Sequence, residues 1–104
     1  MDDLKEQMIY NYICQNYRGK DELIKNKELR KIFNIKSDKS MRKYIQNIRK
    51  KEKYKNMIGS VSGKTGGFYM CITSEEKEDT INNIKHRAYE MLKMCEILER
   101  KVER

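Results

Sequence analysis

The last thirty residues constrain this chain more than any other stretch. From Thr73 to Arg104 there is no proline, and Ile81, Ile84, Ala88, Met91, Cys95, Leu98 and Val102 recur at alternating steps of three and four. That is the a/d pattern of a coiled coil. Thr73 with Glu76 three residues on reads as a capping box, and Glu75, Glu76, Glu78 and Asp79 crowd the first turns, where the helix dipole favours negative charge. Some thirty helical residues span about 45 Å. A globule of 104 residues has a radius of gyration of only about 13 Å, so it cannot cover such a helix alone. The expectation is that Ile81 and Ile84 pack on the chain's own body. Ala88, Met91, Leu92, Cys95, Leu98 and Val102 should then form a homodimer interface. Leu92, Met94 and Ile97 widen the apolar surface beyond a strict seam, which leaves dimer and higher oligomer open.

Upstream of that helix, the spacing predicts a first helix over 3–17, with Leu4, Met8, Ile9, Tyr12 and Ile13 on its apolar side, capped by Asp3 with Glu6 and stopped by Gly19. Leu23 and Ile24 form a short apolar plug suited to a brief β-bridge. Asn26 is the expected N-cap of a second helix, 27–33, which buries Leu29, Ile32 and Phe33; Ile35 then dips into the core. A third helix starts at Ser37 or Asp38 and runs to about Lys51. The period then changes from helical to strand-like over 57–61 and 67–72, and the polar stretch 62–66 between them predicts a β-hairpin. The chain thus reads as a body, 1–73, followed by an association helix, 74–104.

Charge is concentrated in the middle of the chain. Of a net +8, residues 18–55 carry +10, from fifteen basic and five acidic side chains. A lysine-favouring codon bias would scatter lysine evenly, and here it clusters. Such a cluster attracts polyanions, and counterion release makes phosphate binding favourable. The third helix divides this charge from the core. Met41, Tyr44, Ile45 and Ile48 make one stripe, and Lys39, Ser40, Arg42, Lys43, Gln46, Asn47 and Lys50 occupy the other side. Gln and Asn suit adenine edges, Arg suits guanine, and Lys and Ser suit phosphates. The same face would also serve as an ordinary solvated surface. In the hairpin loop, Ser62, Lys64 and Thr65 suit contact with a nucleic-acid backbone.

Other chemistries find little support. Gly59–Thr65 spells G-x-x-x-G-K-T, one residue short of a phosphate-binding loop, and it leads into strand rather than helix. Cys14, Cys71 and Cys95 are odd in number and far apart, and buried reduced thiols are the expectation. The single histidine, His86, sits at an outward heptad position without a second ligand. No catalytic residue, metal site or cofactor is expected, and the chain does not read as an enzyme. No apolar run reaches the roughly 18–20 residues of a membrane span, and the first residues lack the features of a secretory signal. The expected compartment is the cytoplasm.

The order helix, plug, helix, turn, basic helix, hairpin, long helix resembles the winged helix-turn-helix fold, and in particular winged-helix proteins of Firmicutes phages and prophages. The likeness is carried by Ile24–Ile35, by Ser37–Ile45, and by Ile58–Ser60 with Gly67–Tyr69 leading into Thr73–Glu76. The implied fold is mainly α with a small β-hairpin wing, plus the long C-terminal helix. The resemblance implies a third helix that reads a major groove, a wing that touches the minor groove or backbone, and a C-terminal helix that dimerises, much as in PadR-like regulators. The wing departs from theirs in lacking a basic, Arg-rich strand. The implied function is that of a homodimeric protein binding double-stranded DNA, a phage or mobile-element transcriptional regulator or replication accessory factor. Winged helices also bind proteins. The alternative is therefore a phage inhibitor of a host nucleic-acid-targeting complex, anti-CRISPR-like in action.

Overall fold

The computed structural model describes residues 2–102, with Val102 described by its backbone alone. Its elements are α1 (Asp3–Asn16), a 3-10 turn (Lys20–Glu22), α2 (Asn26–Phe33), α3 (Asp38–Lys50), β1 (Ile58–Val61), β2 (Gly67–Met70) and α4 (Ser74–Val102). Three short helices and one face of an antiparallel hairpin enclose the core. Ile9, Ile13, Ile24, Leu29, Met41, Ile45, Ile48 and Ile58 are all at most 1% exposed there. Burying each such side chain contributes roughly 1.5–3 kcal/mol.

Helix α1 is where local pattern and packing part company. Its N-cap is Asp2, not Asp3: the Asp2 carboxylate accepts from the N–H groups of Leu4 and Lys5. Glu6 makes no capping box. It is 2% exposed and takes an ion pair from Lys51 Nζ at 2.6 Å, with Asp3 at 3.4 Å from the same ammonium. The buried side of α1 is therefore Glu6, Ile9, Tyr10 and Ile13, while Leu4 and Met8 lie exposed. Tyr10 is drawn inward by Tyr54, ring centroids 4.6 Å apart, and its hydroxyl accepts the Asn56 N–H at 3.1 Å.

Helix α2 is capped at Lys25 rather than Asn26. Asn26 lies within the helix, and its side-chain oxygen accepts from Arg30 Nε at 2.9 Å. Leu29 is buried as expected, but Ile32 is half exposed, because Asn34 in the left-handed region (φ 55°) turns the chain so that Ile35 enters the core beside Leu29. Helix α3 starts at its N-cap Ser37, whose hydroxyl accepts the Ser40 N–H at 3.1 Å, and it buries Met41, Tyr44, Ile45 and Ile48.

Both edges of the hairpin are accounted for. β1 and β2 pair Ile58 with Met70 and Ser60 with Phe68. On the β2 edge, Phe68 exchanges both backbone bonds with Ile24, and Met70 bonds Tyr17 O and Gly19 N. The expected plug is thus an isolated antiparallel bridge. Gly67 lets Ile24 come this close: a Cβ there would stand 2.2 Å from Ile24 O. On the β1 edge, Ile58 O accepts from Arg49 Nε at 2.9 Å, and the Ser60 N–H donates to Thr80 Oγ1 at 3.3 Å. At these positions the β2 edge is paired with backbone, and on the β1 edge side chains take Ile58 O and Ser60 N.

The two faces of the hairpin serve different neighbours. Ile58, Phe68 and Met70 belong to the core, whereas Tyr69, 1% exposed, sits against Gly59 and Cys71 and close to Thr80 of α4. Glu76 holds the start of α4, its carboxylate accepting from Ile72 N at 2.9 Å and Lys20 N at 2.7 Å. The first turns of α4 therefore belong structurally to the body. Every residue from Ile81 to Lys101 is exposed, including Ile81 (41%) and Ile84 (38%). The helix leaves its own body earlier than the expected packing of those two residues requires. The molecule measures 54 × 31 × 29 Å, with a radius of gyration of 15.7 Å, larger than the roughly 13 Å of a compact chain of this length.

Candidate nucleic-acid interface

The apolar stripe of α3 sets the rotation of the helix and hence what its other side presents. With Met41, Tyr44, Ile45 and Ile48 buried, Lys39, Lys43, Gln46 and Lys50 are exposed. From Lys39 to Lys50 is eleven steps along the helix, a rise of about 16 Å. Ser40 and Asn47 lie half-buried on the flanks rather than fully outward, and the Ser40 hydroxyl oxygen accepts from Ser37 Oγ at 2.9 Å. Arg42 is exposed and ion-paired to Asp38 one turn earlier. A surface pair of this kind is worth only about 0–1 kcal/mol, so it orients the guanidinium without committing it. At the hairpin tip Ser62, Lys64 and Thr65 are all exposed.

Between α3 and the hairpin lies a groove of about 340 Å³, lined by Arg42, Gln46, Arg49, Ser62 and Gly63 among others, and by Arg87 from α4. Arg49 and Arg87 are the residues that sequence reasoning missed. Arg49 occupies the margin of the buried stripe, donating to Ile58 O and, at 3.2 Å, to Ser60 Oγ. Burial lowers its pKa, and the nearby Arg87 guanidinium acts in the same direction. An arginine so shifted remains charged at neutral pH, so the floor of the groove is cationic. Arg87 lies seven residues after Thr80, two helical turns, and so on the same side of α4. Thr80 rests on Ser60, while Arg87 reaches the groove beside Ser62 and Gly63. Glu76 sits at Ile72 and Thr80 at Ser60, so α4 runs in the direction of β1, towards the hairpin tip. The i, i+7 relation was visible in the sequence, but it gains meaning only once Thr80 is known to face the hairpin.

The residues expected at an association surface, Ala88, Met91, Leu92, Cys95 and Leu98, are all exposed on the free part of α4. The Val102 side chain lies outside the described residues. Of the three free thiols only Cys71 is buried, its pKa pushed up by burial; Cys14 is half-buried and Cys95 exposed, contrary to the expectation of three buried cysteines. His86 is exposed. Among the described residues, no cluster of His, Cys, Asp or Glu could hold a metal ion, and no helix is long and apolar enough to cross a membrane. No protein-family model matches the chain, and no curated protein or solved structure is significantly similar to it.

Proposed function

We propose that this chain is a winged-helix protein that binds double-stranded DNA as a homodimer, acting as a phage or mobile-element transcriptional regulator or replication factor. One observation carries the reading: the side of α3 opposite the core leaves Lys39, Lys43, Gln46 and Lys50 exposed, next to a hairpin whose tip presents Lys64. The bridge at Ile24, the basic helix and the paired strands support a winged-helix reading of the body. α3 enters a major groove, where Gln46 and Asn47 reach base edges and the lysines hold phosphates. Ser62, Lys64 and Thr65 contact the backbone. Arg87, with Arg42 and Arg49, places positive charge at the groove between helix and hairpin, where a phosphate would lie. No catalytic step belongs to this reading.

The test is a gel shift on the DNA flanking the gene, titrated with salt. Each phosphate contact contributes about 0.9 to the slope of log K against log salt. Replacing Lys43 and Lys50 by Ala should weaken binding to all sequences and reduce that slope by roughly one unit per lost contact. An unchanged slope removes α3 from the interface.

One observation favours the protein-binding alternative. The apolar surface of α4 extends past its seam to Tyr89, Leu92, Met94 and Ile97, more than a two-helix contact needs. An inhibitor of a host nucleic-acid-targeting complex would bind DNA only non-specifically, yet would co-purify stoichiometrically with that complex.

A further inference from the structure

Arg87 reaches back to the groove, and every residue of the amphipathic helix α4 from Ile81 to Lys101 is exposed. Eight large apolar side chains from Ile81 to Leu98 are each more than a third exposed. Of these, Met91 and Leu98 lie with Ala88 and Cys95 on one exposed stripe of the free helix, whereas Tyr89, Leu92, Met94 and Ile97 spread around its other sides. A helix of this kind is not stable alone in water and is completed by packing. The occupant that fits is a second copy of the chain, and the seam itself specifies how the two copies run.

Along the seam, small and large residues alternate: Ala88, Met91, Cys95, Leu98. Two parallel copies in register would stack like on like. Ala88 would face the partner's Ala88 and Cys95 the partner's Cys95, leaving voids between layers of Met on Met and Leu on Leu. Two antiparallel copies centred on Lys93 place Ala88 against the partner's Leu98 and Met91 against the partner's Cys95, and the reverse by symmetry. Each of the four layers between Ala88 and Leu98 then joins one small and one large side chain, which fills space evenly. Flanking charges do not choose between the two arrangements. In the antiparallel one, Lys85 meets the partner's Glu99 favourably, whereas Arg87 meets the partner's Lys101 like to like. Size sets the register.

We propose that α4 pairs with α4 of a second copy in antiparallel fashion about a two-fold axis at Lys93, so that the juxtaposition of Met91 with the partner's Cys95 defines the dimer. This rests on the reading of α4 as the self-association segment and is independent of DNA binding. The geometry has a consequence for the bodies. Thr80, where α4 docks on β1, lies 26 residues along the axis from the partner's Thr80, roughly 39 Å at 1.5 Å per residue. That is close to the 34–36 Å between successive half-sites on one side of a DNA duplex. A parallel pair would set both bodies at the same height, with no such separation.

The test is disulfide trapping in the full chain carrying Cys14→Ser, with mass measured by light scattering. In the antiparallel register, Cys95 and the partner's Cys95 are offset by about 6 Å along the axis, beyond the reach of a disulfide once the separation of the helices is added. Mild oxidation should leave this protein largely uncross-linked. Met91→Cys in the same background should convert most of it to a covalent dimer, a rise of roughly tenfold, because the introduced sulfur faces the partner's Cys95 within disulfide range. As a second pair, Ala88→Cys and Leu98→Cys, each also carrying Cys14→Ser and Cys95→Ser, should cross-link only when mixed. A dimer that cross-links through Cys95 alone overturns the antiparallel register and leaves self-association standing. A dimer that traps neither engineered pair overturns the register too. A monomeric mass overturns both.

Discussion

The Ser60 N–H donates to Thr80 Oγ1 at 3.3 Å, and this bond joins the β1 edge of the hairpin to α4. Thr80 is fully buried, and its hydroxyl lies close to that of Tyr69. Thr80→Val keeps the shape and removes the acceptor. It should destabilise the fold by about 1–3 kcal/mol, the cost of leaving buried polar groups unpaired, whereas Thr80→Ser should lose much less. Urea unfolding of the two variants separates these outcomes, and a larger loss in Thr80→Ser than in Thr80→Val would mean that the methyl group rather than the hydroxyl matters.

Arg49 and Arg87 share a groove but should fail differently when replaced. Arg49→Met strips the donors from Ile58 O and Ser60 Oγ and should cost about 1–3 kcal/mol of stability. Arg87 is exposed, so Arg87→Ala should leave the thermal midpoint nearly unchanged. If DNA lies in the groove, that variant should weaken binding about two- to tenfold at low salt, with a salt slope shallower by about one. Thermal melts paired with gel shifts distinguish the two roles.

The Glu76 carboxylate accepts from the backbone N–H groups of Ile72 and Lys20, and these bonds, with the Thr73 N–H nearby, hold its pKa below the usual glutamate value. A group whose folded pKa is depressed contributes stability that is complete above its unfolded pKa, about 4.3. That contribution is lost as the pH falls through the folded value. The melting midpoint of the native protein should therefore drop as the pH falls from about 5 towards 3. Glu76→Gln should melt lower at neutral pH and show a shallower acid loss. Parallel acid curves for the two proteins would assign the effect to other carboxylates.

At the other end of the pH scale stands Lys51. Its hydrogen bond to Glu6 raises its pKa, with Asp3 adding to the effect. Here the folded value is raised, so the stabilisation is complete below the unfolded pKa of about 10.4 and disappears as the pH climbs through the folded one. Lys51→Met leaves the buried Glu6 without its cation and should lower the midpoint by several degrees at neutral pH, a large effect for a domain this small. The double variant with Glu6→Gln should recover part of that loss, and a double variant no better than the single one would argue against the pair.

The elements that read correctly from the sequence are those whose signal is local. Helix α3, the hairpin and α4 each announce themselves within their own span: a stripe at three-to-four spacing, a switch to strand-like residues around Gly63 and Gly66, a heptad opening on Thr73 and Glu76. Ser37 caps α3 because a hydroxyl at that position meets the free N–H of Ser40 wherever the rest of the chain lies. These features, and the concentration of cations between residues 18 and 55, were settled by the order of the amino acids alone.

Tertiary structure decided everything that depends on a distant partner. Glu6 is buried and Leu4 exposed because Lys51, forty-five residues away, brings a cation to one side of α1; a hydropathy pattern ranks a leucine inward and a glutamate outward and carries no knowledge of that ammonium. The direction of α4, the docking of Thr80 on β1 and the meeting of Arg49 with Arg87 likewise arise from contacts between segments far apart in the chain. Periodicity fixes which residues share a face. Which face is covered, and by what, is set by the free energy of packing that face against the rest of the molecule.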